Sequence, residues 1–301
     1  MTDDLVDAER RSLLAVAYRM LGTVTDAEDA VQEAFVRWYR LSGSERDAIA
    51  NPAAWLTRVV GRICLDMLGS ARARREQYVG EWLPEPVPAQ SPVAASVGVD
   101  PLDQVTLDDS VSTALLIVLE SLTPAERVAF VLHDVFGVPF AEIAQTVGRS
   151  PDAVRQLASQ ARRRVRERRP RQAGRDEHDA VAQAFAAATA TGDLAALIAV
   201  LDPAVVAYAD GGGKVSSARR PVRGADRVAR FLLGLPRLQP GAAISPTLTG
   251  DGLAFLVTVD GRADAVISVA VAAGLVTDVY IVRNPDKLTL WHALGDGGGA
   301  G

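Results

Sequence analysis

The sequence has few residues that can cross-link a chain or hold a metal ion. Cys64 is its only cysteine, and just three histidines occur among 301 residues. A single thiol excludes an internal disulfide, a cysteine-based zinc cluster and a haem-attachment motif. A His-Glu-x-x-His metal motif is absent as well. The sequence therefore predicts no cofactor and no metal site.

Long apolar runs are also missing, although hydrophobic residues make up 49% of the chain. No stretch reaches the roughly 18 uninterrupted apolar residues that indicate a transmembrane helix. The first residues, MTDDLVDAERR, are acidic and lack the basic-then-apolar order of a secretory signal. We therefore expect a cytoplasmic protein that does not bind a membrane.

Lysine is scarce, since Lys214 and Lys287 are the only two and arginine supplies the rest of the 32 basic residues. The placement of these arginines matters more than the net charge of −5. Nine of them lie between Arg155 and Arg175, where Glu167 is the single acid. The stretch 26–33 holds four acids and no basic residue. The first segment suits a phosphate backbone, and the second suits a basic protein surface.

Apolar periodicity and helix breakers divide the chain into helical and mixed parts. Helical spacing dominates both before and after a proline-rich stretch. Near the C-terminus, a helix is followed by the short β-rich runs VVAYA, LAFLVTV, AVISVAV and VTDVYIV, which predicts an α+β layer. The predicted order is a helical unit (1–77), a proline-rich linker (78–106), a second helical unit (107–169), a short linker (170–175), an α+β domain (176–294) and a disordered tail (295–301).

Residues 140–167 have the pattern of a helix-turn-helix. Gly148 ends one apolar helix, and Ser150 with Pro151 begins the next as N-cap and first residue. The second helix has a buried stripe and an opposite polar face, as a reader of the major groove requires. An ordinary bundle helix with a solvated face is the alternative, but the turn, the cap and the arginine surplus coincide. The candidate DNA-reading residues are Asp152, Arg155, Gln156, Ser159, Arg162 and Arg163.

Two runs of sequence closely resemble regions 2 and 4 of extracytoplasmic-function sigma factors. The first is DAEDAVQEAFVRWYRL followed by NPAAWLTRVVGRICLDMLGSARARRE, and the second is LESLTPAERVAFVLHDVFGVPFAEIAQTVGRSPDAVRQLASQARRRVRE. The resemblance implies a non-enzymatic subunit that binds core RNA polymerase, at its β′ clamp helices and β flap, and directs initiation at promoter −10 and −35 elements.

The D-x-x-Q-E pattern of the first run consists of Asp29, Gln32 and Glu33. Their spacing places them on one helical stripe that can pair with a basic partner helix. Without the resemblance, a solubilising face would be the preferred interpretation. The resemblance implies that these residues dock on the β′ clamp helices.

The resemblance also assigns −10 reading to the loop SGSERDAIAN, residues 42–51, and to the helix after it. Capture of a single strand needs a polar pocket for an unstacked base and arginines for the phosphates. Trp55 and Cys64 are expected to pack in the helical core instead. The candidates for −10 contact are Ser44, Arg46, Asp47, Asn51, Arg58, Arg62 and Arg74.

The strings YVGEWLPEP, DGGGK and NPDKL resemble signatures of the sigma factor subgroup with a C-terminal SnoaL-like extension. This resemblance implies the cone-shaped fold of nuclear transport factor 2 and a regulatory role in place of a separate anti-sigma protein. Glu85 is expected to meet Lys214 or Lys287, although WLPEP packing on its own helical unit is an alternative. The residues expected at this contact are Trp82, Leu83, Pro84, Glu85, Pro86, Asp210, Gly211, Gly212, Gly213, Lys214, Asn284, Pro285, Asp286, Lys287 and Leu288.

Two further functions compete with promoter recognition. SnoaL-like folds include isomerases and cyclases, so the cone could hold an unidentified small-molecule ligand, with Tyr208, Asp210 or Asp264 lining a cavity. No histidine is obviously placed for catalysis there. The other rival is a stand-alone helix-turn-helix regulator with a metabolite-sensing C-terminal domain, which leaves residues 26–75 unexplained.

Overall fold

A computed structural model of the chain describes residues 3–76, 78–94, 112–168, 173–238 and 241–295. Within these ranges, no helix combines the length and apolar character needed to cross a bilayer. The predicted disordered tail lies outside the described residues from position 296 onward, as does the later part of the predicted proline-rich linker, 95–106.

Two compact units divide the chain, and each is built from two separate stretches. The first contains Met1–Glu76 and Gln90–Arg169, and the second contains Gln77–Ala89 and Pro170–Gly301. The two predicted helical segments therefore pack as one unit. The WLPEP stretch belongs with the C-terminal domain, so the alternative that it packs on the preceding helices is wrong.

The regular secondary structure among the described residues of the first unit is helical. A π-helical turn spans Val131–Val135. The α-helices are α1 (Asp3–Leu21), α2 (Val24–Arg40), α3 (Gly43–Asp47), α4 (Pro52–Glu76), α5 (Thr113–Glu120), α6 (Pro124–Phe130), α7 (Phe140–Val147) and α8 (Pro151–Arg168).

The predicted −10 loop is partly helical, because α3 lies inside it. Ser42 and Glu45 form a reciprocal capping box at the start of α3, which satisfies two backbone N–H groups. The sequence analysis missed this helix because five residues are too few to show apolar periodicity, and none of them is buried.

The predicted helix-turn-helix is confirmed. Gly148 ends α7 with a φ of 70°, in the left-handed region that glycine adopts at little cost. The Ser150 hydroxyl accepts a hydrogen bond from the Ala153 N–H at 3.3 Å, and Pro151 is the first residue of α8. The buried stripe of α8 contains Val154, Ala158, Ala161 and Val165.

Close packing joins the N-terminal helices to the second helical segment, 112–168. A Cβ atom on Gly61 of α4 would lie 3.1 Å from Thr146 Cγ2 and 3.2 Å from Leu132 Cδ1, so the absence of a side chain permits the approach. The buried Arg127 guanidinium donates to the Met20 carbonyl at 2.9 Å. Cys64 is fully buried on the same helix as Gly61, and burial raises the pKa of its thiol, which suits a packing role.

The second unit combines helices with a mixed sheet. Its elements are α9 (Arg175–Thr191), α10 (Leu194–Val200), β1 (Leu201–Asp210), β2 (Val222–Arg223), α11 (Ala225–Leu238), β3 (Ala243–Thr249), β4 (Gly252–Val259), β5 (Arg262–Ala272), β6 (Leu275–Val282), a 3-10 turn (Pro285–Lys287) and α12 (Thr289–Gly295). The strands lie in the order β2-β1-β6-β5-β4-β3, in which β1 and β6 are parallel and all other neighbours are antiparallel.

The sheet buries apolar residues on both faces. On β5, Ala265 and Val269 belong to the core shared with α9, α10 and α11, whereas Val266 and Ala270 alternate with them and are also buried. α12 packs on β5, and the Ala89 N–H bonds the Leu248 carbonyl at the β3 edge. The SnoaL-like α+β fold is confirmed, with the WLPEP stretch built into it.

Candidate functional site

The docking candidates lie on the solvent side of α2. Asp29 and Gln32 are exposed, and Glu33 is half-buried and bonds Arg37 Nε at 3.0 Å. The opposite side of α2 is buried in the helical core, which fixes the direction of this stripe. Tyr39, which the sequence analysis did not select, is 60% exposed two turns beyond Gln32 on the same side.

Some of the −10 candidates are exposed, whereas Asn51 is hydrogen-bonded within the protein. Ser44 and Asp47 are exposed on α3, and Arg46 is half-buried there. The Asn51 side-chain oxygen accepts the Ala54 N–H at 3.1 Å, so this residue caps α4. The side chain of Arg74 lies outside the described residues.

Two of the −10 arginines bind the helix-turn-helix segment. Arg58 Nη1 donates to the Gln145 side-chain oxygen at 2.8 Å, and Arg62 Nη1 donates to the Thr146 carbonyl at 3.4 Å. Gln145 and Thr146 belong to α7. In this arrangement, the guanidinium groups expected to meet promoter phosphates are engaged within the protein.

The −35 candidates lie on α8, and most of them face solvent. Arg155 pairs with Asp152 and lies over the Phe140 ring, 5.7 Å from its centroid. Arg162 is half-buried and pairs with Asp134 at 3.2 Å, so part of its role is to hold α8 to the π-helical turn. The remaining candidates, Gln156, Ser159 and Arg163, are exposed.

A buried ion pair lies at the centre of the contact between the WLPEP stretch and the C-terminal domain. The ammonium group of Lys287 donates to Asp210 Oδ2 at 2.7 Å and to the Leu83 carbonyl at 2.5 Å. Asp210 also accepts the Leu83 N–H at 2.9 Å, the Tyr78 hydroxyl at 2.6 Å and the Gly212 N–H at 2.9 Å. We call the group of Tyr78, Leu83, Asp210, Asn284 and Lys287 the clamp.

Aromatic rings enclose the cation of the clamp. Lys287 Nζ lies 4.2 Å from the Trp82 ring centroid and 5.2 Å from that of Tyr78. Both distances fall within the range of cation–π attraction. Burial raises the pKa of Tyr78, and the hydrogen bond and charge of Asp210 raise it further. The phenol therefore stays protonated and donates to the carboxylate.

The DGGGK string has glycines because its turn is crowded. Gly212 has a φ of 61°, and a Cβ atom there would lie 2.5 Å from the Asn284 side chain. Gly213 has a φ of 72°, and its Cβ atom would lie 3.0 Å from Val79. Asn284 needs this space because its Nδ2 group donates to the Tyr78 hydroxyl at 2.8 Å.

Some partners at this contact differ from the sequence expectation. Lys214 pairs with Asp286 at the surface, not with Glu85, and Lys287 pairs with Asp210, which the sequence analysis did not name as its partner. Trp291 was missed, yet it is fully buried and its indole N–H donates to the Pro86 carbonyl at 2.7 Å. A single tryptophan in a short apolar helix gives no sequence signal for such a contact.

The expected cavity residues are mostly placed elsewhere. Asp210 is fully buried in the clamp, and Tyr208 does not line the cavity that the second unit encloses. Asp264 does not line the cavity itself, but it pairs at 3.0 Å with Arg283, which does. His178 bonds the Val269 carbonyl at 3.0 Å and Asp179, and it does not line the cavity either.

Comparisons with known proteins agree with this architecture. A Sigma-70 region 2 model matches residues 5–74, and a Sigma-70, region 4 model matches residues 112–165. The "ECF RNA polymerase sigma factor SigJ" of Mycobacterium tuberculosis is 44% identical over 296 residues, covering 94% of this chain and 92% of SigJ. The chain belongs to the ECF RNA polymerase sigma factors.

Two further similarities extend over the whole sigma factor, including its C-terminal domain. The "Probable ECF RNA polymerase sigma factor SigI" of Mycobacterium tuberculosis is 39% identical over 283 residues, covering 93% of this chain and 92% of SigI. The crystal structure of Mycobacterium tuberculosis SigJ matches with a TM-score of 0.75 at 40% identity, covering 96% of this chain and 98% of that one. The rival of a stand-alone regulator is therefore not favoured.

The clamp predicts a large difference between the two lysines of this sigma factor. Lys287→Met leaves Asp210 as a buried carboxylate without its cation, which costs about 3–5 kcal/mol. The amides of residues 78–89 should then exchange with solvent much faster, Leu83 above all, as measured by hydrogen exchange. Lys214→Met is the matched control because its pair with Asp286 is more than half exposed and is worth about 0–1 kcal/mol. Equal effects of both variants would contradict the clamp.

Proposed function

We propose that this sigma factor binds core polymerase through α2, reads −10 DNA through α3 and α4, and reads −35 DNA through α8. We further propose that its SnoaL-like domain regulates initiation by gripping the linker between regions 2 and 4. The observation that carries the regulatory part is that Asp210 and Lys287 hold both the N–H and the carbonyl of Leu83.

The polymerase-docking proposal draws support from the direction of the α2 stripe. Acidic and amide groups at Asp29, Gln32 and Glu33 face away from the helical core, where a basic helix can reach them. The β′ clamp helices of the core enzyme are the proposed partner, and the β flap is the proposed partner of region 4.

The DNA-reading proposal requires a rearrangement within the first unit. Arg58 and Arg62 are engaged by α7, and α4 approaches region 4 closely at Gly61. A sigma factor reads two promoter elements separated by a fixed spacing, so regions 2 and 4 must part when it binds. The packed first unit is then a resting state that promoter binding opens.

The clamp holds part of the linker that must extend when regions 2 and 4 separate. Region 2 ends with α4 at Glu76, and the next thirteen residues, Gln77–Ala89, belong to the second unit. A fully extended chain spans at most about 3.3–3.6 Å per residue. Holding these thirteen residues in the second unit therefore shortens the distance that the chain can span between regions 2 and 4 by up to about 45 Å. The SnoaL-like domain can thereby favour or exclude the separation that a promoter requires.

Run-off transcription with purified core polymerase tests the function and the docking stripe together. The wild-type chain should start transcription at a cognate promoter, whereas alanine at Asp29, Gln32 and Glu33 together should lower core binding and transcript yield. Glu28→Ala is the control because Glu28 is exposed on the same helix beside the stripe. Undiminished core binding by the triple variant would remove the docking role, and no initiation by the wild type would remove the function.

A second experiment concerns the packing of regions 2 and 4. Gly61→Leu should force α4 away from Thr146 and Leu132 and release Arg58 and Arg62, so binding of −10 single-stranded DNA should rise several-fold. Gly69→Leu places the same side chain on α4 where no atom of the described residues lies within 4 Å of its Cβ position, so it should leave binding unchanged. Fluorescence anisotropy measures the binding. Equal DNA affinities for the two variants would argue against the packed resting state.

A further inference from the structure

The second unit encloses a cavity of about 220 Å³ between its helices and the sheet. Its wall is almost wholly apolar and includes Phe185, Leu232, Val257, Ile267 and Ile281. The Thr189 hydroxyl on this wall donates to the Phe185 carbonyl at 2.8 Å. The volume is below the roughly 300–1,000 Å³ of pockets for drug-sized ligands, so the cavity suits a smaller molecule.

Among the described residues that line the cavity, Arg283 has the one charged side chain. Its Nε and Nη2 atoms donate to the two Asp264 oxygens at 3.1 Å each, and Nη1 donates to the Ser216 carbonyl at 2.7 Å. A guanidinium group has five N–H bonds, so two remain for another acceptor. Asp264 balances the charge, so an ionised ligand would lose its hydration without gaining a counter-ion.

The opening of the cavity is apolar as well. Ile244 of β3 lines the cavity and is 55% exposed, and the half-buried Leu235 of α11 lines it too. The chemistry of the wall thus favours an uncharged, mostly apolar ligand with a single hydrogen-bond acceptor.

The backbone of Arg283 is hydrogen-bonded to the clamp. Its N–H donates to the Asp210 carbonyl at 2.7 Å, and the next residue, Asn284, donates to the same carbonyl at 2.9 Å. Asn284 holds the Tyr78 hydroxyl through its side chain. A molecule bound to the guanidinium is therefore one residue away from the contacts that hold the linker.

We propose that this cavity binds a small, uncharged, mostly apolar molecule bearing one carbonyl oxygen, and that binding tightens the grip on the linker through Arg283. The cavity exists in the arrangement in which the linker is held, so a ligand that fits it stabilises that arrangement. The inference rests on the proposed regulation of initiation by the clamp.

Three probes of matched shape test the chemical class on the full chain. Cyclohexyl methyl ketone should bind saturably in an NMR titration. Isopropylcyclohexane lacks the acceptor and should bind at least about tenfold more weakly, the loss expected for a hydrogen bond to a charged group. Cyclohexanecarboxylate keeps an acceptor but carries a charge that Asp264 leaves without a counter-ion, so it should also bind more weakly than the ketone. Saturable binding of the ketone no tighter than that of the hydrocarbon would overturn the role of Arg283.

Cavity-filling variants test where the ketone binds, and hydrogen exchange measures the effect of binding on the linker. Ala265→Leu should abolish ketone binding, and Leu235→Trp at the half-buried wall serves the same purpose if the buried change impairs folding. The ketone should slow exchange of residues 78–89 several-fold in the wild type alone. Ketone binding retained by a folded variant, or binding without slower exchange in 78–89, would overturn the proposal. Initiation without any probe reports separately on the proposed function.

Discussion

The buried pair of Asp210 and Lys287 is the interaction on which the organisation of this sigma factor depends. Two charges removed from water are costly unless every polar group finds a partner. Here the carboxylate accepts four hydrogen bonds, and the ammonium group donates to Asp210 and to the Leu83 carbonyl beneath the Trp82 ring. Lysine suits this position because a compact ammonium fits among a carboxylate, a carbonyl and two rings, whereas a planar guanidinium prefers fork-like partners. One of the only two lysines in the chain therefore lies where arginine would not substitute well.

The clamp makes the linker a structural part of the C-terminal domain. Leu83 and Val87 are buried, Pro86 accepts the Trp291 indole N–H, and Ala89 extends the β3 edge. Proline-rich chain has little conformational freedom to lose, so these contacts form at a low entropic cost. The segment between regions 2 and 4 thus buries apolar side chains in the C-terminal domain. The contacts through which we propose regulation therefore also stabilise the C-terminal domain.

Sequence patterns predicted much of the fold but not the pairing within the clamp. Helical periodicity and the Gly148 turn identified the helix-turn-helix, and β-rich runs identified β1, β4, β5 and β6. The sequence analysis missed β3 because Pro246 is unlike a residue of a central strand. In the structure β3 is a largely exposed edge strand, and such a strand tolerates proline. The partner of Lys287 could not be predicted because it follows from register: β1 pairs with β6 so that Asp210 lies opposite Val282, which brings the NPDKL segment beside it.

Transcription measured on a double-mutant cycle tests the central claim that the clamp couples the SnoaL-like domain to initiation. Trp82→Ala removes a ring from the cation, and Gly212→Ala forces a Cβ atom against Asn284. If both act through the clamp, their effects on run-off transcription should be non-additive. A chain truncated after region 4 should also differ from the full-length protein in transcript yield. Equal transcription by the truncated and full-length chains, together with additive effects of the two substitutions, would contradict the account.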